Sequence, residues 1–442
     1  MLKVYKSFVF IVVLLTVMGS HSLLVFSNSK YNRESKYKQE ALHEPALNVL
    51  PEREAVEPPE SIDSLFKENN FDFSLNKLRI ILPQFIQVTP ESRIFGDIKC
   101  HIEGFLKLRL DIDATITGIT LIHPGLARQP VYISDLSLKG KINWDHFERT
   151  LSFENLSLGR ASVLAQISGL ISYKNLIAMK LNMSLPETDI QKVLDALPYG
   201  LIPKIKGAMV LGTIGMDLLF EANPEYPKEF KFEPNIRVNN YFLQYQPAGI
   251  HVKELKSDYT QEIRKNGVIV RQVLLSKTNP DFVPYDKLGE EIREAILKTE
   301  DISFFHHNGF NLGEIREAIF KNLNAKGFVR GGSTISMQLA KNLFLNGERT
   351  LSRKLQEAIL TYALEKELSK ERIFEIYANI IEWGVDVYGI AEASQHYFSK
   401  TSFSLTAEEA NRLALIIPNP QKRDFNKKDL SVLDNMVGQM EY

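Results

Sequence analysis

The sequence is short of cysteine, of net charge and of long apolar stretches. It has one cysteine, Cys100, in 442 residues, which excludes an intrachain disulfide and a cysteine-rich zinc site. Its 53 Lys and Arg stand against 54 Asp and Glu, a formal charge of −1 at pH 7. That balance removes any global electrostatic case for nucleic acid, although it can conceal a local cationic stripe. With 44% hydrophobic and 24% charged residues, the body reads as ordinary globular protein rather than a disordered chain or a polytopic membrane protein. At this length two or three units are expected, each able to bury its own core.

The one long apolar run is at the start. Lys3 and Lys6 precede Phe8 to Met18, and the run resumes at Leu23 to Phe26, about one bilayer crossing. No small-x-small cleavage site follows, so an uncleaved single-pass anchor over residues 1–28 is expected, with the basic tip in the cytoplasm and the rest outside. Residues 29–70 are polar and carry Pro45, Pro51, Pro58 and Pro59, the composition of a flexible linker.

From 71 to about 255 the pattern is period-two alternation, as in Leu106-Lys107-Leu108-Arg109-Leu110-Asp111-Ile112, which predicts strands. Further runs at 131–138, 163–172 and 177–183, punctuated by Gly and Asn, suggest an antiparallel sheet with one buried face. One helix is expected at about 187–197. At Ile202-Pro203-Lys204-Ile205-Lys206-Gly207 and Gly212-Thr213-Ile214-Gly215 this segment resembles the β-sheet repeats of AsmA-like envelope proteins. A β-rich spacer or partner-binding module without chemistry is the preferred reading.

After about Val268 helical periodicity takes over: Leu288, Ile292, Ala295 and Ile296 share a face, as do Ile373, Ile376, Tyr377 and Ile380. Thr406 and Glu409 have capping-box spacing for a last helix that stops before Pro418. Within this part Glu300 and Asp301 lead into Phe304, Phe305, His307 and Gly309. A carboxylate beside apolar rings can become a base with a raised pKa. Alone, such an acidic pair reads as a surface turn.

Gly331-Gly332-Ser333-Thr334 then opens a helix, and helix N-termini attract anions. On that helix Thr334, Gln338 and Lys341 line one polar face. Lys321, Lys326, Arg330, Lys341, Arg349, Arg353 and Lys354 form a cationic stretch against the single acid Glu348. It is bracketed by carboxylates and lacks interleaved stacking aromatics, so a diphosphate suits it better than nucleic acid. Arg353 and Glu357, four residues apart, have the spacing of an ordinary surface ion pair.

Taken together and in order, these segments resemble the glycosyltransferase family 51 domain, the lysozyme-like helical domain of bifunctional penicillin-binding proteins and monofunctional peptidoglycan transglycosylases. Thr299-Glu300-Asp301 with Phe304, His307 and Gly309 resembles its first motif, and Gly331 to Ser336 with Gln338, Ala340 and Lys341 its second. Arg349-Thr350 with Arg353, Lys354 and Glu357 resembles the third. Lys370, Ile373, Glu375, Tyr377 and Asn379 echo the fourth, and Tyr388-Gly389, Ala393, Tyr397-Phe398 and Lys400 the fifth.

The resemblance implies an α+β multidomain chain: a C-terminal all-α lysozyme-like glycosyltransferase domain (265–425, then a tail over 426–442), preceded by the β-rich antiparallel domain (71–255) and the transmembrane helix. It implies that lipid II is polymerised at the outer face of the cytoplasmic membrane. Glu300 is then the general base for the acceptor 4-hydroxyl, and Glu357 supports the cationic site. Ser333, Thr334, Gln338, Lys341, Arg349, Arg353, Lys354, Asn379 and Lys400 are the expected substrate-binding residues. No cofactor is required, and a divalent cation, magnesium or manganese, is optional.

Expected partners are lipid II, the lipid-linked glycan strand, the membrane, and a separate transpeptidase or envelope protein through the β-rich domain. No transpeptidase domain is expected, because the Ser-x-x-Lys tetrads at Ser27, Ser35, Ser64 and Ser74 have no Lys-Thr-Gly downstream. The family pattern is broken at Met337, where a glutamine is usual, and by the β-rich insert between anchor and catalytic domain. A lytic hydrolase on the same fold and a non-catalytic envelope scaffold are the rival readings.

Overall fold

The structure, a computed structural model, describes residues 71–75, 85–102, 107–174, 177–265, 267–325, 327–421 and 423. The expected anchor, linker and C-terminal tail, and Lys326 of the cationic stretch, lie outside the described residues. Among the described residues no helix is long and apolar enough to cross a membrane.

The described residues divide into two compact units, the first comprising those of 71–244 together with those of 316–331 and 350–352. Its body is one nine-stranded sheet in sequential order. The strands are β1 (Phe71–Ser74), β2 (Ile86–Ile102), β3 (Lys107–Leu121), β4 (Val131–Asp145), β5 (Thr150–Arg160), β6 (Val163–Ser172), β7 (Ala178–Asp189), β8 (Met209–Ala222) and β9 (Lys231–Tyr245). From β1 to β8 each strand pairs antiparallel with the next.

Alternation produces this sheet directly. In β3 Leu108, Leu110, Ile112, Ala114 and Ile116 are buried while the residues between them include Arg109, Asp111 and Asp113. The register sets apolar side chains opposite one another: Ile98 faces Ile112, Leu110 faces Ile142, Ile142 faces Phe153 and Leu151 faces Ile171. Each such side chain, fully buried, stabilises by about 1.5–3 kcal/mol.

Strand β4 runs on to Asp145, past the 131–138 stretch that alternation marks. Gly140, read as punctuation, sits inside the strand with φ +146, and a Cβ there would lie 2.6 Å from the Asn155 carbonyl oxygen. The glycine permits a close backbone approach rather than a turn.

Helix α1 (Ile190–Ala196) falls inside the expected span and is capped by Asp189, whose carboxylate accepts from the Lys192 N–H at 3.1 Å. The later segments of this unit are bound to its loops. Arg316 donates to the Phe230 carbonyl at 3.3 Å, and the Phe320 and Phe230 rings lie 5.8 Å apart. The N–H groups of Leu351 and Ser352 donate to the carbonyls of Gly125 and Leu126 at 2.9 and 2.8 Å, and the Ser352 hydroxyl donates to Leu201 O at 3.0 Å.

The second unit comprises the described residues of 245–315, 332–349 and 353–423. Its helices are α2 (Glu290–Glu300), α4 (Ile335–Phe344), α6 (Lys370–Ile380), α7 (Ile390–Phe398) and α8 (Ala407–Ile416), with α3 (Leu312–Asn324) and α5 (Leu351–Glu367) entering in part. Helix α2 packs on α8, and α4 on α6. Trp383, Tyr377, Phe304 and Phe374 are its largest fully buried side chains. The capping box at Thr406 and Glu409 forms as expected.

The expectation of an all-α C-terminal domain needs correcting. Two antiparallel hairpins accompany the helices: β10 (Tyr259–Lys265) with β11 (Val268–Leu275), and β12 (Glu382–Gly384) with β13 (Val387–Tyr388). The β-branched run Val268-Ile269-Val270 favours a strand where helical periodicity was read to begin.

Leu156 is 0% exposed in the sheet core, whereas Phe147 is 59% exposed. Leu156→Ala is expected to destabilise the sheet unit by about 2–5 kcal/mol through the cavity it leaves. Phe147→Ala should stay within about 0.5 kcal/mol of wild type. Urea unfolding followed by circular dichroism checks both, and equal midpoints for the two variants would contradict this account of the core.

Candidate active site

The two adjacent acids at the end of α2 do different work. Asp301 is buried and accepts from His307 Nε2 at 3.0 Å and from the Ile335 backbone N–H at 3.1 Å. Thr334, the N-cap of α4, donates its hydroxyl to the Gly309 carbonyl at 2.7 Å and accepts from the Met337 N–H at 3.2 Å. Gly309 has φ +87, and a Cβ there would meet Thr361 and Glu365 side-chain carbons at 2.9 Å, so only glycine fits. The N-terminus of α4, read from sequence as an anion site, thus has its Ile335 and Met337 donors already engaged by protein groups.

Glu300 is placed by these bonds together with one of its own. Its Oε2 accepts from Gln338 Nε2 at 2.7 Å, and Gln338 Oε1 accepts from the Tyr377 hydroxyl at 3.0 Å. Its Oε1 is buried and has no hydrogen-bond partner among the described residues. Burial raises the Glu300 pKa above the ordinary carboxylate value. The Gln338 bond and the charges of Lys341 and Arg423 pull it back, while Asp301 adds to the rise. A desolvated carboxylate with one oxygen lacking a donor has the properties of a general base.

On α5, Glu357 is 2% exposed and ion-paired through one oxygen to Arg353 and through the other to Lys354. Lys354 also donates to the Ser333 hydroxyl at 2.7 Å, which joins the Gly-Gly-Ser-Thr turn to the cationic helix. Arg353 Nε donates to the Glu348 carbonyl oxygen. Burial lowers the pKa of both Lys341 and Lys354, with Glu357 opposing it in each case. Lys341 senses Glu300 as well as Glu357, so it links the two carboxylates. Two carboxylates, Glu300 and Glu357, against the three cations Lys341, Arg353 and Lys354 leave spare positive charge in a half-buried place, which suits a phosphate-bearing ligand.

A family model described as Transglycosylase matches residues 266–439. A biosynthetic peptidoglycan transglycosylase of Laribacter hongkongensis is 43% identical over 169 residues, which are 37% of this chain and 74% of that protein. The chain belongs to the transglycosylase family. Proteins of the same description from Nitrosospira multiformis and Nitrosomonas eutropha are 47% and 45% identical over 146 and 163 residues. Those stretches are 33% and 37% of this chain, and 64% and 67% of the two relatives. The part shared with the transglycosylase family is a glycosyltransferase domain and contains every expected site residue.

Within this transglycosylase domain Glu300, Gln338 and Lys341 come together, as do Ser333, Lys354, Arg353 and Glu357. Arg349 is exposed just before α5. Two expected substrate-binding residues stand elsewhere. Asn379 is buried, accepts from the Val283 N–H and donates to the carbonyls of Val283 and Glu375; it clamps the backbone, and no donor remains for substrate. Lys400 is held by both oxygens of Glu409 at 2.8 and 2.9 Å and is not among the charges acting on Glu300, Lys341 or Lys354. Met337 is 4% exposed among the apolar residues of α4.

Sequence reading assigned no role to Tyr377 and none to Arg423. Tyr377 was visible only as a core-face residue and a motif echo, and nothing local marks Arg423 as a neighbour of Glu300.

A raised folded-state pKa means that ionised Glu300 costs stability above that pKa and that the cost disappears as pH falls through it. Glu300→Gln is therefore expected to melt at or above the wild-type temperature at neutral pH, with the difference closing in acid. Melting curves at several pH values test this, and a variant less stable at neutral pH would contradict it.

Proposed function

We propose that this protein polymerises lipid II into β-1,4-linked glycan strands by inverting glycosyl transfer, with release of undecaprenyl diphosphate. The observation that carries the reading is the desolvated Glu300, with one oxygen lacking a partner among the described residues, set beside a cluster of partly exposed cations. The names of its relatives, biosynthetic peptidoglycan transglycosylases, support it.

In the proposed step Glu300 Oε1 removes the proton of the acceptor 4-hydroxyl as that oxygen bonds to the donor's anomeric carbon. The bond from that carbon to the diphosphate oxygen breaks, and its electron pair leaves with the diphosphate. Charge develops on the leaving group, where Lys341, Arg353 and Lys354 stabilise it; preorganised donors of this kind are each worth about 100- to 1,000-fold in rate. Glu357 keeps Arg353 and Lys354 in place. Glu300 returns its proton to solvent or to the departing diphosphate.

A divalent cation has little to bind here. Among the described residues no group of three or more His, Cys, Asp or Glu gathers, and both Glu357 oxygens are taken by cations.

We place the reaction at the outer face of the cytoplasmic membrane, with the expected N-terminal span as anchor. Ile302, 75% exposed directly after the acidic pair, together with Phe305 and Leu312, is the kind of apolar surface a lipid bilayer covers. The sheet unit is read as an accessory module for a transpeptidase or another envelope protein.

Wild type incubated with labelled lipid II in detergent should yield polymer resolved on a gel, and Glu300→Gln should lose about 100- to 10,000-fold in rate. Digestion of purified sacculi without lipid II would instead establish a hydrolase.

The rate should also fall on both sides of a pH optimum. Glu300 must be ionised, so the acid limb should lie above the ordinary carboxylate value. Lys341 and Lys354 must be charged, so the alkaline limb should lie below the ordinary lysine value. Lys341→Arg, which cannot lose its charge in this range, should move the alkaline limb upward if Lys341 sets it, and an unmoved limb would assign it to Lys354.

A further inference from the structure

Tyr377 lies on the buried face of α6 with Ile373, Phe374 and Ile376, all fully buried. Its hydroxyl donates to Gln338 Oε1 at 3.0 Å, and the other end of the same amide donates to Glu300 Oε2 at 2.7 Å. A glutamine amide can present either end to a neighbour. Turned over, it would set a carbonyl oxygen against an ionised carboxylate, so whatever fixes the amide also fixes the carboxylate's partner.

Burial, with the negative charges of Glu300 and Asp301 nearby, pushes the Tyr377 phenol well above its ordinary pKa, which keeps its proton available to donate. In a low-dielectric interior, consecutive hydrogen bonds polarise one another, so donation by the phenol strengthens the amide's donation to Glu300.

We propose that Tyr377 is a positioning residue: through Gln338 it secures Glu300 Oε2, so that Oε1 alone is left to take the acceptor's proton. This rests on the reading of Glu300 as the base. Tyr377 touches neither reacting group. The charged and titratable groups acting on Glu300 are Lys341 on α4, Arg423 beyond α8, the adjacent Asp301, and Tyr377 itself on α6. Removing the phenol hydroxyl leaves all the others in place.

The test is Tyr377→Phe in the full-length protein, compared with Gln338→Leu and the double variant. The first readout is the titration of the Glu300 carboxyl, taken by infrared difference against Glu300→Gln and requiring no substrate. Loosening the amide removes a bond that favours the ionised form, so the titration should move to higher pH in Y377F and in Q338L. The double variant should move no further than Q338L.

The second readout is polymerisation. In Y377F kcat should fall about tenfold with KM within about twofold, and the acid limb should move upward with the titration. An unmoved titration in Y377F, or a double variant shifted by the sum of the two singles, overturns the proposal. Polymer formation by wild type reports separately on the proposed function, so the two can fail independently.

Y377F strands Gln338 Oε1 in the interior, whereas the double variant removes that amide and leaves Glu300 Oε2 without its donor, the same loss that Q338L alone carries. If Y377F does not fold but Y377F/Q338L does, that rescue supports the coupling. If neither folds, Tyr377 is a packing residue and the proposal falls.

Discussion

One buried carboxylate, Asp301, accepts from His307 and from the backbone of Ile335, and so ties the end of α2 to the first turn of α4. Nearly everything in the site follows from that tie. Glu300 is the residue immediately before it, and Gln338 and Lys341 lie one and two turns into the helix that Asp301 holds. The Thr334 bond to the Gly309 carbonyl closes the same junction from the other side. Losing the Asp301 carboxylate would strand a buried histidine and a buried N–H, at about 1–3 kcal/mol for each unsatisfied group. The carboxylate also acts at a distance, since its charge adds to the rise in the Glu300 pKa.

The third motif is organised by a different balance. Glu357 could have been a weak surface partner of Arg353, the reading its spacing alone supports. Burial changes its role: with both oxygens engaged by cations, it holds two side chains that would otherwise repel each other, on a helix whose first N–H groups are bound to carbonyls of Gly125 and Leu126. The segment 350–352 therefore clusters with the sheet although it precedes the cationic residues in sequence. No linear domain boundary could have included it, nor the segment 316–331.

What was legible in the sequence was what short periodicity and local chemistry encode. Alternation gave the strands and their buried face, and caps such as Thr334 and Thr406 marked helix starts. The order of motifs collected Glu300, Gln338, Lys341, Arg353, Lys354 and Glu357. What was not legible shares a cause, because spacing along the chain does not say where a side chain's bonds go. Asn379 sits in a motif yet spends its amide on Val283 and Glu375, and Lys400 is drawn to Glu409. The part played by Gly140, close backbone approach, is visible only when the neighbouring strand is present. Tyr377 and Arg423 reach Glu300 only through tertiary folding.

The near-zero net charge of the chain hides the most consequential arrangement in it. Lys341 and Lys354 are held where burial opposes their charge, and Glu300 where burial opposes its own. Such groups are costly until something compensates them, and the compensation need not be present in the free protein. An anion entering beside the lysines stabilises their protonated forms, and by linkage their protonation tightens the anion's binding. A diphosphate carries more negative charge once its bond to the sugar has broken than while it is esterified, so the cations favour the bond-breaking state over the bound substrate. In the proposed transfer Glu300 changes in the opposite sense: it begins as a desolvated anion and becomes neutral on taking the proton. Both halves of the site therefore relax as transfer proceeds, which is the condition for interactions that lower the barrier rather than merely hold the substrate.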